Sequence, residues 1–194
     1  MGRNKEFDTT LVLHKAMEVF GHYGYEGTSL QNLLDGLGIA RQSLYDTYGT
    51  KRDLFILAVK HYVNEKSAAV ISLLQQPGSV KQIIAAIFAE VVAVLKDDQR
   101  RRECFIIDSA IDQVPHDAEI AEFFRKDVER LEQAFYEALV RAREEGELHK
   151  EKEHLLALAR YLTHTRYALI QAAKLTANPD VLDDMAAVAL TTLE

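Results

Sequence analysis

GYEGTSLQNLLDGLGIARQSLYDTYGTKRDLF, residues 24–55, is the stretch that decides the fold. The hydroxyls of Thr28-Ser29 suit the N-cap of a short helix over 30–35. A tight turn follows, in which Gly38 can adopt a positive φ angle without steric cost. A second short helix then runs over 40–48. Two short helices joined by a turn that contains glycine predict a helix-turn-helix.

Longer helices are predicted on both sides of this pair. Apolar residues recur at helical spacing over 9–23, Asp8 or Thr9 can cap the start, and Gly24 is placed to end the helix. On the other side, Thr50 can cap a long helix over 51–74. The short pair is therefore expected to be supported by helices before and after it.

Polar side chains on the second short helix and just beyond it suit a contact with double-stranded DNA. The candidates from this pattern are Arg41, Gln42, Ser43, Tyr45, Tyr48 and Lys51. Arg41 can bind guanine and Gln42 adenine through two hydrogen bonds each. Lys51 would begin the next helix, where its charge and the free N–H groups both suit a phosphate. The two tyrosine hydroxyls offer further phosphate contacts.

Periodicity alone leaves a second interpretation open. A helical hairpin inside an ordinary bundle has the same pattern, and Arg41 and Gln42 would then only be solvated. Helix-turn-helix geometry without DNA binding is common in helical proteins.

Three motifs resemble the tetracycline-repressor (TetR) family of regulators. GYEGTSL at 24–30 is similar to the segment that leads into the family's second helix, and GIARQSLY at 38–45 resembles its recognition helix. YGTKRDLF at 48–55 resembles the start of its fourth helix. The resemblance covers 9–60 almost without a gap. Ala40 departs from the family pattern, which often has serine there, so one possible phosphate hydrogen bond is missing.

The resemblance implies a ligand-responsive transcription regulator that binds a palindromic operator as a dimer. It further implies that the protein is a repressor, released from DNA by a small-molecule effector. It adds three candidates to the DNA-contacting set, which becomes Ser29, Gln31, Arg41, Gln42, Ser43, Tyr45, Thr47, Tyr48 and Lys51. Ser29, Tyr45, Tyr48 and Lys51 would hold phosphates. Arg41, Gln42 and Ser43 would face base edges, with Gln31 and Thr47 as further candidates.

The remaining chain is also predicted to be helical. Helices are expected over 80–96, 104–113, 118–145, 152–176 and 179–193, with a charged connector over 97–102. The fold class is therefore all-α. An N-terminal three-helix helix-turn-helix DNA-binding domain (1–50), linked by the long helix 51–74, precedes a larger effector-binding and dimerisation domain (51–194).

The last two helices are apolar over more than one face. Such helices need burial on two sides. The resemblance supplies a second copy of the chain as the partner and predicts a homodimer through helices about 152–176 and 179–193. A purely intramolecular bundle is the alternative, although recognition of two operator half-sites favours a dimer.

Polar groups within apolar stretches are the candidates for effector binding. They are Cys104, Asp108, Tyr136, His164, Tyr167 and Gln171. Each of them can instead be a core or interface residue with satisfied hydrogen bonds. Cys104 is also a candidate redox or electrophile sensor, because three arginines precede it and nearby cations favour the thiolate. The simpler interpretation of Cys104 is a small buried hydrophobe.

Charge is distributed unevenly along the 194 residues. The net charge of −7 by itself argues against a nucleic-acid partner, but residues 1–60 are neutral, with seven basic and seven acidic side chains. The acidic excess lies wholly in the rest of the chain. The neutral part places Arg41, Lys51 and Arg52 near the predicted DNA contact. Different partners are therefore expected for the two parts of the chain.

Other classes of protein find little support in the sequence. Apolar stretches such as 83–95 are too short to span a bilayer, and a single cysteine fits a reducing compartment, so a cytoplasmic protein without a membrane partner is expected. His149 and His154 lack metal-site spacing, and no cofactor or catalytic motif is present. Two alternatives without a DNA-binding role are an all-α small-molecule carrier or enzyme and a structural adaptor. Both leave the placement of Arg41 and Lys51 unexplained.

Overall fold

The computed structural model describes residues 9–149 and 152–194, and this part of the chain is helical without strands. Its helices are α1 (Thr9–Gly27), α2 (Leu30–Leu37), α3 (Arg41–Tyr48), α4 (Lys51–Leu74), α5 (Val80–Lys96), α6 (Arg100–Cys104), α7 (Ile106–Gln113), α8 (Ala118–Glu144), α9 (Lys152–Leu175) and α10 (Asp180–Thr191). The all-α prediction is confirmed. Asp8, a predicted cap of the first helix, lies outside the described residues. No helix in the two described ranges is both long enough and apolar enough to cross a membrane.

The chain divides into two compact units. The first unit contains the described chain up to Val63 together with Arg102–Ala121. The second unit contains Asn64–Arg101 and Glu122–Glu194. The first unit thus includes α7 and the start of α8, which lie far along the chain from α1 to α3. The functional boundary at residue 50 stays a prediction.

The core of the first unit is built on α1. Val12, Ala16 and Phe20 lie on the predicted apolar face and are buried. The Phe20 ring packs edge-on against Phe55 of α4, with centroids 4.9 Å apart. Gly24 interrupts the regular helix with φ 72°, as the sequence predicts. Burial of this face, rather than helix propensity alone, holds α1 in place.

Helix α1 also approaches the segment that enters α7 very closely. A Cβ atom on Gly21 would lie 2.1 Å from the carbonyl oxygen of Arg102, so only glycine fits there. Beside it, the Ser109 hydroxyl donates a hydrogen bond of 3.1 Å to the carbonyl of Phe20. These contacts join residues about 80 to 90 positions apart. They explain why Arg102–Ala121 belongs to the first unit.

In the second unit, α5, α9 and α10 pack on one another. Leu95, Leu162 and Leu182 are among the buried residues of these helices. Glu147 closes the N-terminus of α5 by accepting hydrogen bonds from the backbone N–H groups of Val80 at 2.8 Å and Lys81 at 3.1 Å. A carboxylate at this end of a helix is favoured by the helix dipole.

The predicted connector over 97–102 was wrong in part, because α6 begins within it at Arg100. The Asp97 carboxylate accepts hydrogen bonds from the backbone N–H groups of Gln99 and Arg100, both at 2.9 Å, and so starts a new helical turn. The predicted tight turn over 36–39 is shorter than expected, since α2 continues to Leu37. Burial of Leu37, which is 2 % exposed, accounts for the additional residues.

We expect Gly21→Ala to lower the free energy of unfolding by about 1–3 kcal/mol, because the added methyl group must push the Arg102 backbone away. Gly27→Ala is the matched control. A Cβ at Gly27 meets no atom within 4 Å, and loss of backbone freedom in the unfolded chain should leave stability unchanged or raise it by about 0.4–1 kcal/mol. Urea denaturation measures both variants. Equal stabilities for the two variants would contradict the close approach.

Candidate nucleic-acid interface

Local hydrogen bonds define the first helix of the helix-turn-helix. Ser29 is the N-cap of α2, where its hydroxyl accepts from the backbone N–H of Asn32 at 3.1 Å. The Asn32 side chain accepts in return from the backbone N–H of Ser29 at 2.9 Å. The neighbouring Thr28 is buried and donates its hydroxyl to the carbonyl of Gly24 at 2.6 Å. Of the two predicted cap residues, Ser29 is therefore the cap and Thr28 closes the preceding loop.

The turn after α2 is built on Gly38, which has the left-handed conformation that the sequence predicts, with φ 67° and ψ 30°. Its backbone N–H donates to the carbonyl of Leu34 at 3.0 Å and so ends α2. Helix α3 starts after Ala40, which makes no side-chain capping bond. Leu44 is fully buried and anchors α3 to the core. The opposite face of α3 points to solvent.

This exposed face carries most of the predicted base-contacting residues. Exposed side chains on it are Arg41, Gln42, Tyr45, Asp46 and Thr47, whereas Ser43 is half-buried. The guanidinium carbon of Arg41 lies 5.7 Å from the centre of the Tyr45 ring, a cation–π distance. The Gln42 amide donates to Asp46 at 2.7 Å. These neighbours restrain both side chains before any ligand arrives.

Gln31 on α2 has the same arrangement as Gln42. Its amide donates to Asp35, four residues further along the helix, at 2.8 Å. Side chains four positions apart face each other on a helix. Sequence reasoning named both glutamines but missed the two aspartates, although their spacing alone could have identified them as partners.

Lys51, the predicted phosphate ligand, begins α4. Thr50 caps this helix as predicted: its hydroxyl accepts from the backbone N–H of Asp53 at 3.2 Å, while Asp53 accepts from the backbone N–H of Thr50 at 2.9 Å. The backbone N–H of Thr50 and its hydroxyl, which donates at 2.8 Å, both bind the Asp53 carboxylate and lower its pKa. The Lys51 ammonium lies 4.6 Å from the centre of the Tyr25 ring. Tyr25 is a residue that sequence reasoning missed.

Tyr48 differs from the other candidates because it is buried, with 6 % of its surface exposed. Its hydroxyl donates to the backbone carbonyl of Thr9 at 3.4 Å. The structure thus gives Tyr48 a packing contact between α3 and α1. A phosphate contact by this hydroxyl stays a prediction of the family resemblance.

Arg52 corrects an expectation from the sequence, which placed its charge beside that of Lys51 near the predicted DNA contact. In the structure Arg52 is paired with carboxylates and does not add a free cation there. Its guanidinium donates to both oxygens of Asp117, at 2.7 and 3.0 Å, and to Glu119 at 3.1 Å. Lys60 completes the network by donating to Glu119 at 2.8 Å. All four residues belong to the first unit.

Asp117 also caps α8, since its side chain accepts from the backbone N–H groups of Glu119 at 3.0 Å and Ile120 at 3.2 Å. The hydrogen bond from Arg52 is the main cause that lowers the pKa of the Asp117 carboxyl. Hydrogen bonds from Lys60 and then Arg52 lower the pKa of Glu119. The network therefore ties α4 to the start of α8 with ionised carboxylates.

The predicted effector residues lie in different places. Cys104 and Asp108 are buried in the first unit. Tyr136 of α8 and Tyr167 of α9 are half-buried in the second unit, and His164 and Gln171 are exposed on α9. The predicted set is therefore divided, with two of its residues in the first unit and four in the second.

His164 contacts the neighbouring helix through a charged residue. Its Nε2 atom lies 3.3 Å from a carboxylate oxygen of Glu132 on α8.

Burial, followed by the nearby charge of Asp127, raises the pKa of Tyr167 to about 12. The hydroxyl of Tyr167 therefore stays protonated at neutral pH and remains a hydrogen-bond donor.

Two cavities in the second unit have no predicted effector residue in their lining. One is about 450 Å³ and open, and lies between α4 and α8; its lining includes Ile71, Ser72, Arg130 and Gln133. The other is about 180 Å³ and lies between α5, α9 and α10. The effector residues named from the sequence therefore stay predictions.

Comparisons with known proteins fit a helix-turn-helix transcription regulator. The chain is 58% identical over 194 residues, the whole of both chains, to the HTH-type transcriptional regulator YezE of Bacillus subtilis (strain 168). It is 28% identical over 157 residues to the HTH-type transcriptional repressor ComR of Escherichia coli (strain K12), covering 79% of this chain and 75% of that protein.

The chain also resembles the solved structure of a cysteine mutant of CifR, a TetR family transcriptional regulator complexed with double-strand operator DNA. The match covers 99% of this chain and 100% of that one, with a TM-score of 0.83 and 26% identity. Residues 12–58 match the family of bacterial regulatory proteins described as the tetR family. The chain belongs to this family and is a transcriptional regulator.

The Arg52–Asp117 pair makes stability depend on pH in a defined direction. Because the folded protein lowers the pKa of Asp117, the pair contributes fully above the unfolded pKa near 3.8, and its contribution is lost as pH falls through the lower folded pKa. We expect Asp117→Asn to destabilise the protein at neutral pH, and the difference from the unmodified chain to shrink as the pH falls below 3.8 and through the lower folded pKa.

Urea denaturation at a series of pH values measures this effect. Asp112→Asn is the matched control, because Asp112 is exposed in the same unit, and its stability should follow that of the unmodified chain at every pH. A stability difference between Asp117→Asn and the unmodified chain that stays constant over the whole range would contradict the role of this carboxylate.

Proposed function

We propose that this regulator binds a palindromic DNA operator as a homodimer and represses transcription until a small-molecule effector releases it. The observation that carries the proposal is the exposed polar face of α3, with Arg41 and Gln42 at its N-terminal end and Lys51 at the start of α4. These features lie in one compact unit. A carrier, an enzyme or a structural adaptor would need none of them.

The proposed roles follow from exposure and chemistry. Arg41 and Gln42 contact base edges, with Ser43, Gln31 and Thr47 as further contacts. Lys51 binds a phosphate with its ammonium group, beside the free N–H groups at the start of α4. Ser29 and Tyr45 hold neighbouring phosphates. Tyr48 is proposed for the same role on the family resemblance alone, because its side chain is buried. The short N-terminal part of α3 is suited to enter a major groove.

Known relatives support DNA binding and repression. A cysteine mutant of CifR was solved in complex with a 26-base-pair double-strand operator. ComR and BdcR, both of Escherichia coli (strain K12), are named HTH-type transcriptional repressors. We infer from these names that this chain also represses transcription and has no enzymatic role. We further infer a cytoplasmic location, because the DNA of a bacterium lies there.

The proposed dimer forms through α9 and α10. Val188 of α10 is 62% exposed and Tyr161 of α9 is 42% exposed, although each helix also buries apolar side chains within its own unit. A second copy would cover these surfaces and build a four-helix interface. Two copies would place two α3 helices in successive major grooves, about 34–36 Å apart.

Effector binding is proposed within the domain that runs over residues 51–194. The six candidates named from the sequence remain the residues to test first. They are Cys104, Asp108, Tyr136, His164, Tyr167 and Gln171. Cys104 as an electrophile sensor also remains a hypothesis, and its burial shows that a reagent would need the surrounding helices to open. A ligand that releases DNA must bind one conformation of the dimer more tightly than the other.

The DNA-binding proposal predicts two distinct losses of affinity. Lys51→Ala should weaken binding about equally for all sequences and reduce the slope of log K against log salt by about 1. Arg41→Ala should cost about 1–3 kcal/mol of binding free energy on the preferred site and relax the preference at one base pair. Fluorescence anisotropy measures both effects on a duplex that the purified protein selects from random DNA.

Arg125→Ala serves as the matched control for charge removal. Arg125 is an exposed cation of α8 in the second unit, and its loss should leave the affinity and the salt slope unchanged. If Arg41→Ala and Lys51→Ala both bind the selected duplex as tightly as the unmodified protein, α3 is not the DNA-contacting helix.

The dimer proposal predicts that Val188→Glu yields a monomer, because a carboxylate buried without a partner costs several kcal/mol at an interface. Leu57→Glu is the control, since Leu57 is an apolar residue of α4 that is 45% exposed. It should leave the dimer intact. Sedimentation equilibrium measures both masses, and a Val188→Glu variant that remains dimeric would place the interface elsewhere.

A further inference from the structure

Two histidines from distant parts of the sequence come together in the first unit. His14 lies on α1 and His61 on α4, and their rings pack edge to face with centroids 5.6 Å apart. The ligand atoms that the two rings offer lie within 4.8 Å of each other. Two metal–nitrogen bonds of about 2.1 Å hold the nitrogens about 3.4 Å apart at a tetrahedral angle, so a shared ion requires the two rings to approach each other by at most about 1.4 Å.

A third side chain orients the first histidine. The Nδ1 atom of His14 lies 3.3 Å from a carboxylate oxygen of Glu103 on α6. Metal-binding histidines commonly donate one ring N–H to a carboxylate, which fixes the ring and leaves the other nitrogen for the ion. Glu103 therefore stands where a positioning residue of a metal site is expected, and Nε2 is the nitrogen that His14 can offer.

The surroundings suit an ion that sheds part of its water. The side chains of His14 and Glu103 are 35% and 27% exposed, so the site is half-buried but open to an entering ion. The Nε2 atom of His61 is shielded from solvent.

We propose that His14 and His61 together bind one divalent late transition-metal ion, with Glu103 as the positioning residue for His14. Imidazole nitrogen suits Zn²⁺, Ni²⁺ and Cu²⁺, whereas Mg²⁺ and Ca²⁺ require mainly oxygen ligands. Water molecules can complete the coordination of the ion. The site does not depend on the proposed DNA contacts, because none of its residues belongs to α2 or α3.

An ion at this position joins α1 to α4, the two helices that support the helix-turn-helix. Because it binds only the folded unit, it must stabilise that unit by mass action. Metal binding should therefore raise the thermal unfolding temperature of the full chain. The size of this rise should depend on the metal concentration.

Calorimetric titration of the metal-free full chain with ZnCl₂ or NiCl₂ tests the proposal. We expect one ion per chain for the unmodified protein. His14→Gln and His61→Gln should each weaken binding at least about 10-fold, and Glu103→Gln by about 10-fold to 100-fold. His22→Gln is the matched control, because His22 is an exposed histidine of the same helix as His14, and it should bind as the unmodified chain does.

A spectroscopic measurement separates loss of a ligand from loss of the fold. Electron paramagnetic resonance of the Cu²⁺-loaded unmodified chain should show hyperfine coupling to two imidazole nitrogens. The metal-induced rise in unfolding temperature should vanish in His14→Gln and His61→Gln. The proposal would be overturned if the unmodified chain did not bind one ion per chain, or if the copper signal showed coupling to fewer than two nitrogens. It would also be overturned if His14→Gln and His61→Gln bound the metal as tightly as His22→Gln.

Discussion

An aromatic cluster in the first unit is the contact on which the proposed DNA interface depends. Phe20 and Phe55 are fully buried against each other, and the Tyr25 ring lies 4.7 Å from Phe55 between centroids. The outer side of this cluster holds the ammonium of Lys51 over Tyr25. Isolated helices of eight residues are unstable in water, so α2 and α3 rely on burial against α1 and α4. The packing that supports the two short helices thus also positions Lys51, the cation proposed to bind a phosphate.

Segments from the middle of the chain complete the same unit. Gly21 permits α1 to touch the backbone at Arg102, and Arg52 joins α4 to Asp117 at the start of α8. A surface ion pair by itself contributes little to stability. Here, however, the carboxylate of Asp117 is largely buried and also caps a helix, so its interactions with Arg52 and with the backbone support each other. The segment 102–121 is therefore in direct contact with both α1 and α4.

Local features of this fold could be predicted from the sequence, and contacts between distant residues could not. Thr50 as a cap, Gly38 in the left-handed region and the start of α4 depend on neighbours within a few positions, so residue type alone identifies them. The partner of Arg52 lies 65 residues away, and the charge pattern gave no sign of it. Burial of Tyr48 likewise depends on where α1 packs. His14 and His61 escape any search for spaced metal ligands because they lie 47 positions apart, on different helices.

The acidic partners of the two exposed glutamines bear on how a surface without a strong positive charge can select a DNA sequence. Gln42 can form two hydrogen bonds to adenine only if its amide leaves Asp46, and an exposed hydrogen bond of this kind contributes about 1 kcal/mol or less. A bidentate contact to the correct base is worth about 1–3 kcal/mol, so the exchange is favourable there and unfavourable at a wrong base. In the proposed complex, Asp35 and Asp46 would therefore increase the difference in affinity between the operator and other DNA, because only the correct base compensates for the hydrogen bond that each glutamine gives up.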